Sequence, residues 1–482
     1  MTTLYSLTED SYTTQPLWGD NEIRLSEIIS AFSMALDITE GQPVGHAIRT
    51  CLIGMRMAEA LDLPADDRSA LFYALLLKDL GCSSNAAKMC WLFAADDRGV
   101  KRDLKFIDWT KMSENLKFSL SHVAPGSSPM QKAMQMFAMA REGTEGARKL
   151  VETRCERGAD ITRMLQLPEA TALAIRNLDE HWNGQGHPDR LRGEEIPYLA
   201  RIACLAQTVE VFFTTQGLAT AIEVAQSRRG TWFDPALVDT LVLLRDDHAF
   251  WKGVAGENPR IELQRWEPED KVQMADEACI DRVCEAFAQV VDAKSPWTHK
   301  HSQGVAEIAV GIAKVLGHSE QTQRDIRRAG LLHDIGKLGV SNLILDKPGR
   351  PTDEEFQQIR MHPDYTEKIL RQVPSFRQIA DVAAAHHERL DGKGYHRRLG
   401  EVQIPWQGNL LAVADIFEAL TAKRPYRAEL PLEKVLSIMQ KDLGSAIRPE
   451  YYEALVKWRE QTNPISRAEA QMDRIEQMLT EL

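Results

Sequence analysis

Histidines and aspartates recur through the second half of this sequence, and both residue types bind transition metals. The set is His301, His333, Asp334, His362, His386, His387 and Asp415. A single histidine in a helix is usually an ordinary core or surface residue. The whole set is unusual, because Asp415 lies in the apolar run LLAVADIF, where a carboxylate is costly to bury unless a cation lies beside it. The sequence therefore predicts a metal site in this half.

The elements that must position these residues are helices. Segments such as ALFYALLLKDL and AEIAVGIAKVL repeat apolar residues at intervals of three and four, which predicts an all-α fold. A polar stretch with proline and glycine at 256–272 predicts a linker between a first domain at 20–255 and a second at 273–460. We expect the tail at 461–482 to be a charged amphipathic helix for docking or dimerisation.

The two halves are related by an internal repeat. GHAIRTCLIGMRMAEAL in the first half matches KHSQGVAEIAVGIAKVL in the second, so that His46 lies opposite His301. The segment that begins at Glu180 matches the one that begins at Glu388. Between the matched segments the first half is longer, which predicts an insertion within about 84–149.

The first half keeps only two of the seven candidate metal ligands, His46 and Asp79. The other positions carry Lys78, Arg154, Leu178, Asp179 and Gln207. We therefore expect no dinuclear metal site there. Two interpretations stay open, a structural and dimerising domain or a ligand-sensing regulatory domain. We also hypothesise that Arg154 pairs with the surviving Asp79 and so replaces the metal.

The motifs of the second half, over about residues 276–460, resemble the HD-GYP branch of the HD phosphohydrolase superfamily. They are THKHS, HDIGKLGV, LDKPGRPTDEE, MHPDYTEKIL, HHERLDGKGY and AVADIFEALTAKRPYR. The resemblance implies two tandem HD-type helical domains, the first of them degenerate, and hydrolysis of a cyclic dinucleotide. It also implies that His301, His333, Asp334 and Asp415 hold one metal, and that Asp334, His362, His386 and His387 hold the other.

The number of metals depends on one further position. Some relatives in this family recruit a third metal through a glutamate where this sequence has Trp297. We therefore expect two divalent transition-metal ions, with iron or manganese favoured by the imidazole and carboxylate ligands. The implied reaction is attack of a metal-bridging hydroxide on phosphorus.

Four further side chains are predicted to act on the substrate. Lys337 lies four residues after His333, and we expect it to hold a phosphate oxygen from the same helical face. Together with Asp334 it is a predicted catalytic residue. Arg424 and Arg427 in KRPYR are predicted to contact a phosphate or a guanine edge. The last of the substrate-binding set is Tyr395.

The loop that carries Tyr395 departs from the family signature. It reads Gly394-Tyr395-His396, so the proline of GYP is lost. Because proline fixes φ, its loss predicts a looser loop beside the site. An exposed loop histidine is the simplest interpretation of His396.

Composition excludes several classes of protein. The net charge of −12 disfavours DNA binding, and no apolar run is long enough for a membrane helix. Seven cysteines without a CxxC pair favour reduced thiols. We therefore predict a soluble, cytoplasmic protein.

The identity of the substrate stays open at this point. Cyclic di-GMP comes first and 3′,3′-cyclic GMP-AMP close behind, and the sequence alone does not choose between them. One alternative is a non-catalytic signalling module that binds a dinucleotide or a diguanylate cyclase partner. Another is a different HD-type phosphohydrolase. A homodimer is a further expectation.

Overall fold

The structure is a computed structural model that describes residues 23–298, 300–422 and 429–462. Within these ranges the chain forms α-helices joined by turns and short 3-10 segments, with no β-strand, so the all-α prediction is confirmed. The first-half helices are α1 (Leu25–Thr39), α2 (His46–Ala60), α3 (Ala65–Leu77), α4 (Ala86–Phe93), α5 (Asp97–Leu104), α6 (Met112–His122), α7 (Pro129–Met164), α8 (Glu169–Arg176), α9 (Tyr198–Gln216), α10 (Leu218–Ser227), α11 (Pro235–Leu243), α12 (His248–Val254) and α13 (Pro259–Leu263). The second-half helices are α14 (Glu277–Asp292), α15 (His301–Val315), α16 (Glu320–Leu332), α17 (Asn342–Leu345), α18 (Asp353–Ile359), α19 (His362–Leu370), α20 (Arg377–Ala383), α21 (Trp406–Thr421), α22 (Leu432–Gln440) and α23 (Pro449–Thr462).

The internal repeat is visible in matched contacts of the two halves. Helices α2 and α15 each begin at the matched histidine, His46 or His301. A Cβ added to Gly81 would lie 1.8 Å from a helix carbonyl oxygen, and a Cβ added to Gly336 would lie 1.9 Å from the matching one. Only glycine allows this close approach. The same scaffold is therefore built twice.

Helix α1 joins the two halves. Its Phe32 is buried, with its ring centroid 4.4 Å from that of Phe287 and 5.8 Å from that of Phe376, both in the second half. The hydrophobic core runs continuously from one half to the other through this helix. Burial of such large aromatic side chains contributes several kcal/mol to stability, of order 2–3 kcal/mol each.

The segment predicted as a linker packs against both halves. It contains α13, whose Leu263 is buried, and the Arg260 guanidinium donates to Gln372 Oε1 at 3.1 Å and to Ser30 Oγ at 3.3 Å. The domain bounds on either side of it stay a prediction. Residues 463–482 of the predicted tail lie outside the described residues.

The insertion forms α4, α5, α6 and the beginning of α7. These helices have a small apolar cluster of their own, which includes Phe93, Val100 and Phe118. Helix α7 kinks at Gly143, where φ is 61°. None of the described helices is both long and apolar enough to cross a bilayer.

Candidate metal centre

The structure brings the seven predicted ligands together. They come from the first residue of α15, the two residues after α16, the first residue of α19, the turn after α20 and the middle of α21. Six of the side chains are buried and the imidazole of His387 is 26% exposed. These elements direct the side chains toward one buried point. The residues are far apart in the sequence, and the packing of separate helices brings them together.

Asp334 lies at the middle of the group and its two carboxylate oxygens face different histidines. Oδ2 lies 3.2 Å from His301 Nε2 and 3.3 Å from His333 Nε2. Oδ1 lies 3.2 Å from His362 Nε2 and 3.8 Å from His386 Nε2. One carboxylate is thus placed to serve two neighbouring cation sites.

Two triads of donor atoms lie on the two sides of Asp334. Within each triad all donor atoms are within 4.8 Å of one another. One triad is His301, His333 and Asp415, and the other is His362, His386 and His387. This division has the composition that borderline divalent metals favour, with imidazole and carboxylate donors and no thiolate.

Backbone carbonyls fix the tautomer of three of these histidines. His333, His362 and His386 each donate Nδ1–H to the carbonyl oxygen three residues earlier, at 2.6, 2.7 and 2.5 Å. A carbonyl only accepts, so each Nδ1 carries a proton, and Nε2 is the nitrogen that a neutral imidazole offers to a metal. Histidine ligands of metals are oriented in this way by a hydrogen bond from their other nitrogen.

A glutamate that the sequence analysis missed orients the fourth histidine. Glu418 on α21 pairs with Nδ1 of His301, which turns Nε2 toward Asp334 and Asp415. Glu210 makes the same contact with His46 in the first half. The internal repeat gave a signal for this residue. Glu418 lies three residues after Asp415, and Glu210 lies three residues after Gln207, the residue that matches Asp415.

Buried polar atoms at the centre lack a hydrogen-bond partner within the described part of the chain. They include Nε2 of His301, Nε2 of His333 and Oδ1 of Asp334. Unpaired buried polar atoms are costly, and a metal ion would use all three. The residues present therefore fit a metal centre.

The electrostatics of three histidines and of Asp334 agree with this fit. At His301, by contrast, burial by itself would lower the pKa, but the carboxylates of Asp334, Asp415 and Glu418 raise it well above its usual range. Burial lowers the pKa of His362 and of His386, and lowers the pKa of His387 to about 3, so these imidazoles are neutral. Burial by itself would raise the pKa of Asp334, but His333 and Lys337 outweigh it and hold that pKa well below its usual range. Neutral imidazoles and an ionised carboxylate are the forms that bind metals.

The prediction that Lys337 shares a helical face with His333 is wrong. Lys337 does not lie on a continuing α-helix, since α16 ends at Leu332 and Ile335–Gly339 form a 3-10 turn. In such a turn residues three apart are eclipsed, so the Lys337 Nζ contacts Asp334 Oδ2 at 2.5 Å. His386 and His387 likewise lie in the turn just after α20, with ring centroids 4.0 Å apart.

The loop of the altered signature is held in place. His396 is neither exposed nor free, since its Nε2 lies 2.9 Å from Glu367 Oε2 and its side chain is 16% exposed. The Glu388 carboxylate accepts from the backbone N–H groups of residues 397, 398 and 399. The Glu388 contacts recur at Glu180 in the first half, where the loop keeps Pro188, whereas the contact of His396 with Glu367 belongs to the second half. The looser loop stays a prediction.

Tyr395 lies on the exposed side of the centre. Its ring centroid is 4.7 Å from that of His387, and the Arg360 guanidinium lies 5.0 Å from the Tyr395 ring centroid. Arg360 was not predicted from the sequence. Arg424 and Arg427 fall outside the described residues.

In the first half, two lysines lie where the second half gathers its candidate ligands. Lys78 Nζ is 2.9 Å from His46 Nε2 and pairs with Asp79. Lys105 Nζ, from the insertion, is 3.8 Å from Asp79 Oδ1 and 3.3 Å from Gln207 Oε1. Burial by itself would lower the pKa of Lys105, but Asp79 and a second carboxylate raise it, so a full positive charge lies in this site.

The hypothesis that Arg154 pairs with Asp79 is wrong. Arg154 forms its ion pair with Asp179, the residue that matches His387. Asp79 is instead paired with its neighbour Lys78 and with Lys105. The insertion that carries Lys105 has no counterpart in the second half, so the repeat alignment gave no sign of it.

Comparison with known proteins follows the same division into halves. A family model described as the HD domain matches residues 126–237 and 285–450. The 3′3′-cGAMP-specific phosphodiesterase 3 of Vibrio cholerae is 42% identical over 439 residues, which are 91% of this chain and 95% of that protein. A cyclic di-GMP phosphodiesterase of Thermotoga maritima is 38% identical over 178 residues, which are 36% of this chain and 48% of that protein.

A solved structure agrees with these sequence matches. The crystal structure of a cyclic GMP-AMP specific phosphodiesterase of V. cholerae superposes with a TM-score of 0.63 at 38% identity, and the match covers 91% of this chain and 98% of that one. The resemblance drawn from the sequence motifs is thereby confirmed, and this chain belongs to the HD domain family.

Proposed function

We propose that the protein is a metal-dependent phosphodiesterase that hydrolyses a cyclic dinucleotide. The observation that carries the proposal is the position of Asp334 between two triads of metal-ligand side chains. The seven side chains would hold two divalent transition metals, with iron or manganese the best match to their donor atoms. When bound, the two ions would supply an activated water near neutral pH and neutralise charge on the phosphate.

The protein's own residues orient the substrate in this proposal. Lys337 is 19% exposed and lies beside Asp334, so its ammonium is placed to donate to a phosphate oxygen. Tyr395 and Arg360 form a wall next to His387, against which a base can stack. Arg424 and Arg427 complete the predicted substrate contacts.

We propose 3′,3′-cyclic GMP-AMP as the preferred substrate and cyclic di-GMP as the alternative. The relative that matches through both halves is named for the mixed dinucleotide. The T. maritima relative named for cyclic di-GMP matches 36% of the chain. A diguanylate cyclase partner, a homodimer and a cytoplasmic location stay predictions from the sequence, as does a regulatory or dimerising role for the first half.

One experiment tests the function directly. The purified protein is loaded anaerobically with iron or manganese, each dinucleotide is added, and the products are separated by mass. We expect about two metals per chain, a linear product, and a higher kcat/KM for cyclic GMP-AMP. The Asp334→Ala variant is the control for contaminating hydrolases. Two bound metals with no hydrolysis of either dinucleotide would contradict the proposal and favour the non-catalytic signalling module.

A further inference from the structure

A row of buried charges runs from the degenerate site of the first half into the second half. In order it is Asp79, Lys105, Glu40, Lys101, Asp97 and Lys294, and the sign alternates at every step. The successive N–O distances are 3.8, 3.3, 3.6, 3.8 and 3.4 Å. Charged side chains are seldom buried unless they are paired, so each member of the row depends on its neighbours.

Near its second-half end the row contacts, through Asp97, the residues that follow the turn Ile335–Gly339. Asp97, the first residue of α5, is fully buried, and its Oδ1 accepts from the backbone N–H of Asn342 at 3.2 Å. The next residue, Arg98, donates from Nη1 to the carbonyl oxygen of Gly339. Gly339 ends the 3-10 turn that follows Asp334 and carries Lys337.

The first half supplies a second contact to the same turn. A Cβ added to Gly339 would lie 3.4 Å from Ile38 Cγ2 on α1 and 2.9 Å from the Tyr365 ring. A Cβ added to Gly41, just after α1, would lie 2.4 Å from the Arg98 carbonyl oxygen. Helix α1 and the start of α5 therefore pack as one unit against the end of the turn.

We infer that Arg98 and Asp97 are positioning residues, through which the insertion of the first half fixes the turn that presents Asp334 and Lys337. This inference rests on the proposed function, because it assigns those two residues a role in hydrolysis. The start of the turn is held by the second half, since Gly336 N donates to Thr366 Oγ1 at 3.0 Å. Within it, Lys337 N donates to Asp334 O at 2.8 Å and Val340 N donates to Lys337 O at 3.0 Å. At the other end of the turn, the carbonyl oxygen of Gly339 accepts from Arg98 of the first half.

The charge row explains why this contact stays in place. Lys294 and Lys101 both contact Asp97 Oδ2, from the second half and from α5 respectively. At its first-half end the row reaches the pair of Lys105 with Asp79. Asp79 also pairs with Lys78, which lies at the position that matches His333. The charge of Asp79 is thus balanced in part by Lys105, which also belongs to the row of contacts that holds α5 in place.

Arg98→Met is the main test, because the side chain is 27% exposed and its replacement keeps the apolar stem. In holoenzyme loaded with iron or manganese we expect kcat to fall roughly 3- to 30-fold, as for a small displacement of a catalytic group, with KM and metal content unchanged. Arg98→Lys, which keeps a donor, should recover part of the loss. The matched control is Arg102→Met, one turn further along α5, whose guanidinium pairs with Asp103 and is 51% exposed; it should match the parent protein.

Hydrogen exchange provides a readout that does not depend on turnover. The amides of Lys337 and Val340 should exchange faster in Arg98→Met than in Arg102→Met or the parent protein. Unchanged exchange at both amides would overturn the inference, and so would a kcat within twofold of the parent or a loss of bound metal. If the parent hydrolyses neither dinucleotide, the proposed function fails, and the exchange experiment then decides the positioning alone.

Discussion

The two halves of this protein show two ways to neutralise carboxylates buried in the same scaffold. In the second half Asp334 lies among imidazoles whose Nε2 atoms face it. In the first half the matching Asp79 contacts two lysine ammonium groups. The supporting pair of histidine and glutamate is kept in both. The comparison indicates that the same scaffold can bury an aspartate beside lysines where most of the proposed metal ligands are absent.

The largest expected difference between the halves concerns the two matched aspartates. Asp334→Ala should abolish hydrolysis, by at least about 10³-fold, because both triads depend on this carboxylate. Asp79→Asn should cost less than about tenfold and leave the metal content unchanged. Steady-state kinetics and metal analysis of the two purified variants check this. Retention of most activity by Asp334→Ala would contradict the assignment of the centre.

A smaller effect is expected where the halves differ in a single cation. Lys337→Ala should lower kcat 10–1000-fold, as for the loss of one electrostatic stabiliser, and should retain both metals. Cys82 is the matching residue of the first half, and Cys82→Ala should leave kcat unchanged. Single-turnover kinetics on metal-loaded protein measures both. A Lys337→Ala variant as active as the parent would mean that the lysine acts only on the metal-free carboxylate.

The lysines of the first half should matter for stability rather than for turnover. Lys78→Met should lower the free energy of unfolding by about 3 kcal/mol, because it removes a buried partner of Asp79. Lys88→Met is the control: this lysine is 42% exposed and pairs with Glu142 at 2.8 Å, a contact worth under about 1 kcal/mol. Urea unfolding followed by circular dichroism distinguishes them, and equal losses would show that Lys78 does not balance a buried charge.

The smallest expected effect concerns pH and two matched helix-capping aspartates. Burial raises the pKa of Asp37 to about 7 and that of Asp292 to about 6, whereas both carboxyls titrate near 4 in an unfolded chain. Between the two pKa values the folded protein keeps a proton that the unfolded chain releases, so stability is lost as pH rises.

Asp37→Asn removes this titration. Between pH 5 and 7 the metal-free parent should lose roughly 2 kcal/mol more stability than the variant. For Asp292→Asn, the difference in stability between parent and variant should stop growing about one pH unit lower, because the folded-state pKa is about 6 rather than about 7. Unfolding curves at several pH values check both. A parent and variant that respond equally to pH would show that these carboxyls are ionised throughout the range.

The gathering of the seven candidate ligands could be predicted from sequence because histidine and aspartate in helical, apolar surroundings are unusual and their order along the chain follows the motifs. The predictions that were wrong or missing concern residues whose placement depends on local backbone geometry, and residues of the insertion, which has no counterpart in the second half. Lys337 was placed on the helical face of His333 because the two are four residues apart, yet α16 ends at Leu332 and the chain forms a 3-10 turn from Ile335 to Gly339. Lys105 lies in the insertion, so the repeat offered no alignment for it. Glu418 was missed although Glu210 repeats it.

The kind of cation beside the buried aspartate also determines whether a half depends on a ligand from outside the protein. A lysine is part of the chain from synthesis onward, whereas a metal must be acquired. A bound ligand stabilises the folded state by an amount that grows with the logarithm of its free concentration once that exceeds Kd. If the proposed centre binds metal, the charge balance around Asp334 would depend on the supply of that metal, whereas the balance around Asp79 is made by lysines of the chain itself. The first half thus carries its balancing cations within its own chain, and its helix α1 packs through Phe32 on Phe287 and Phe376 of the second half.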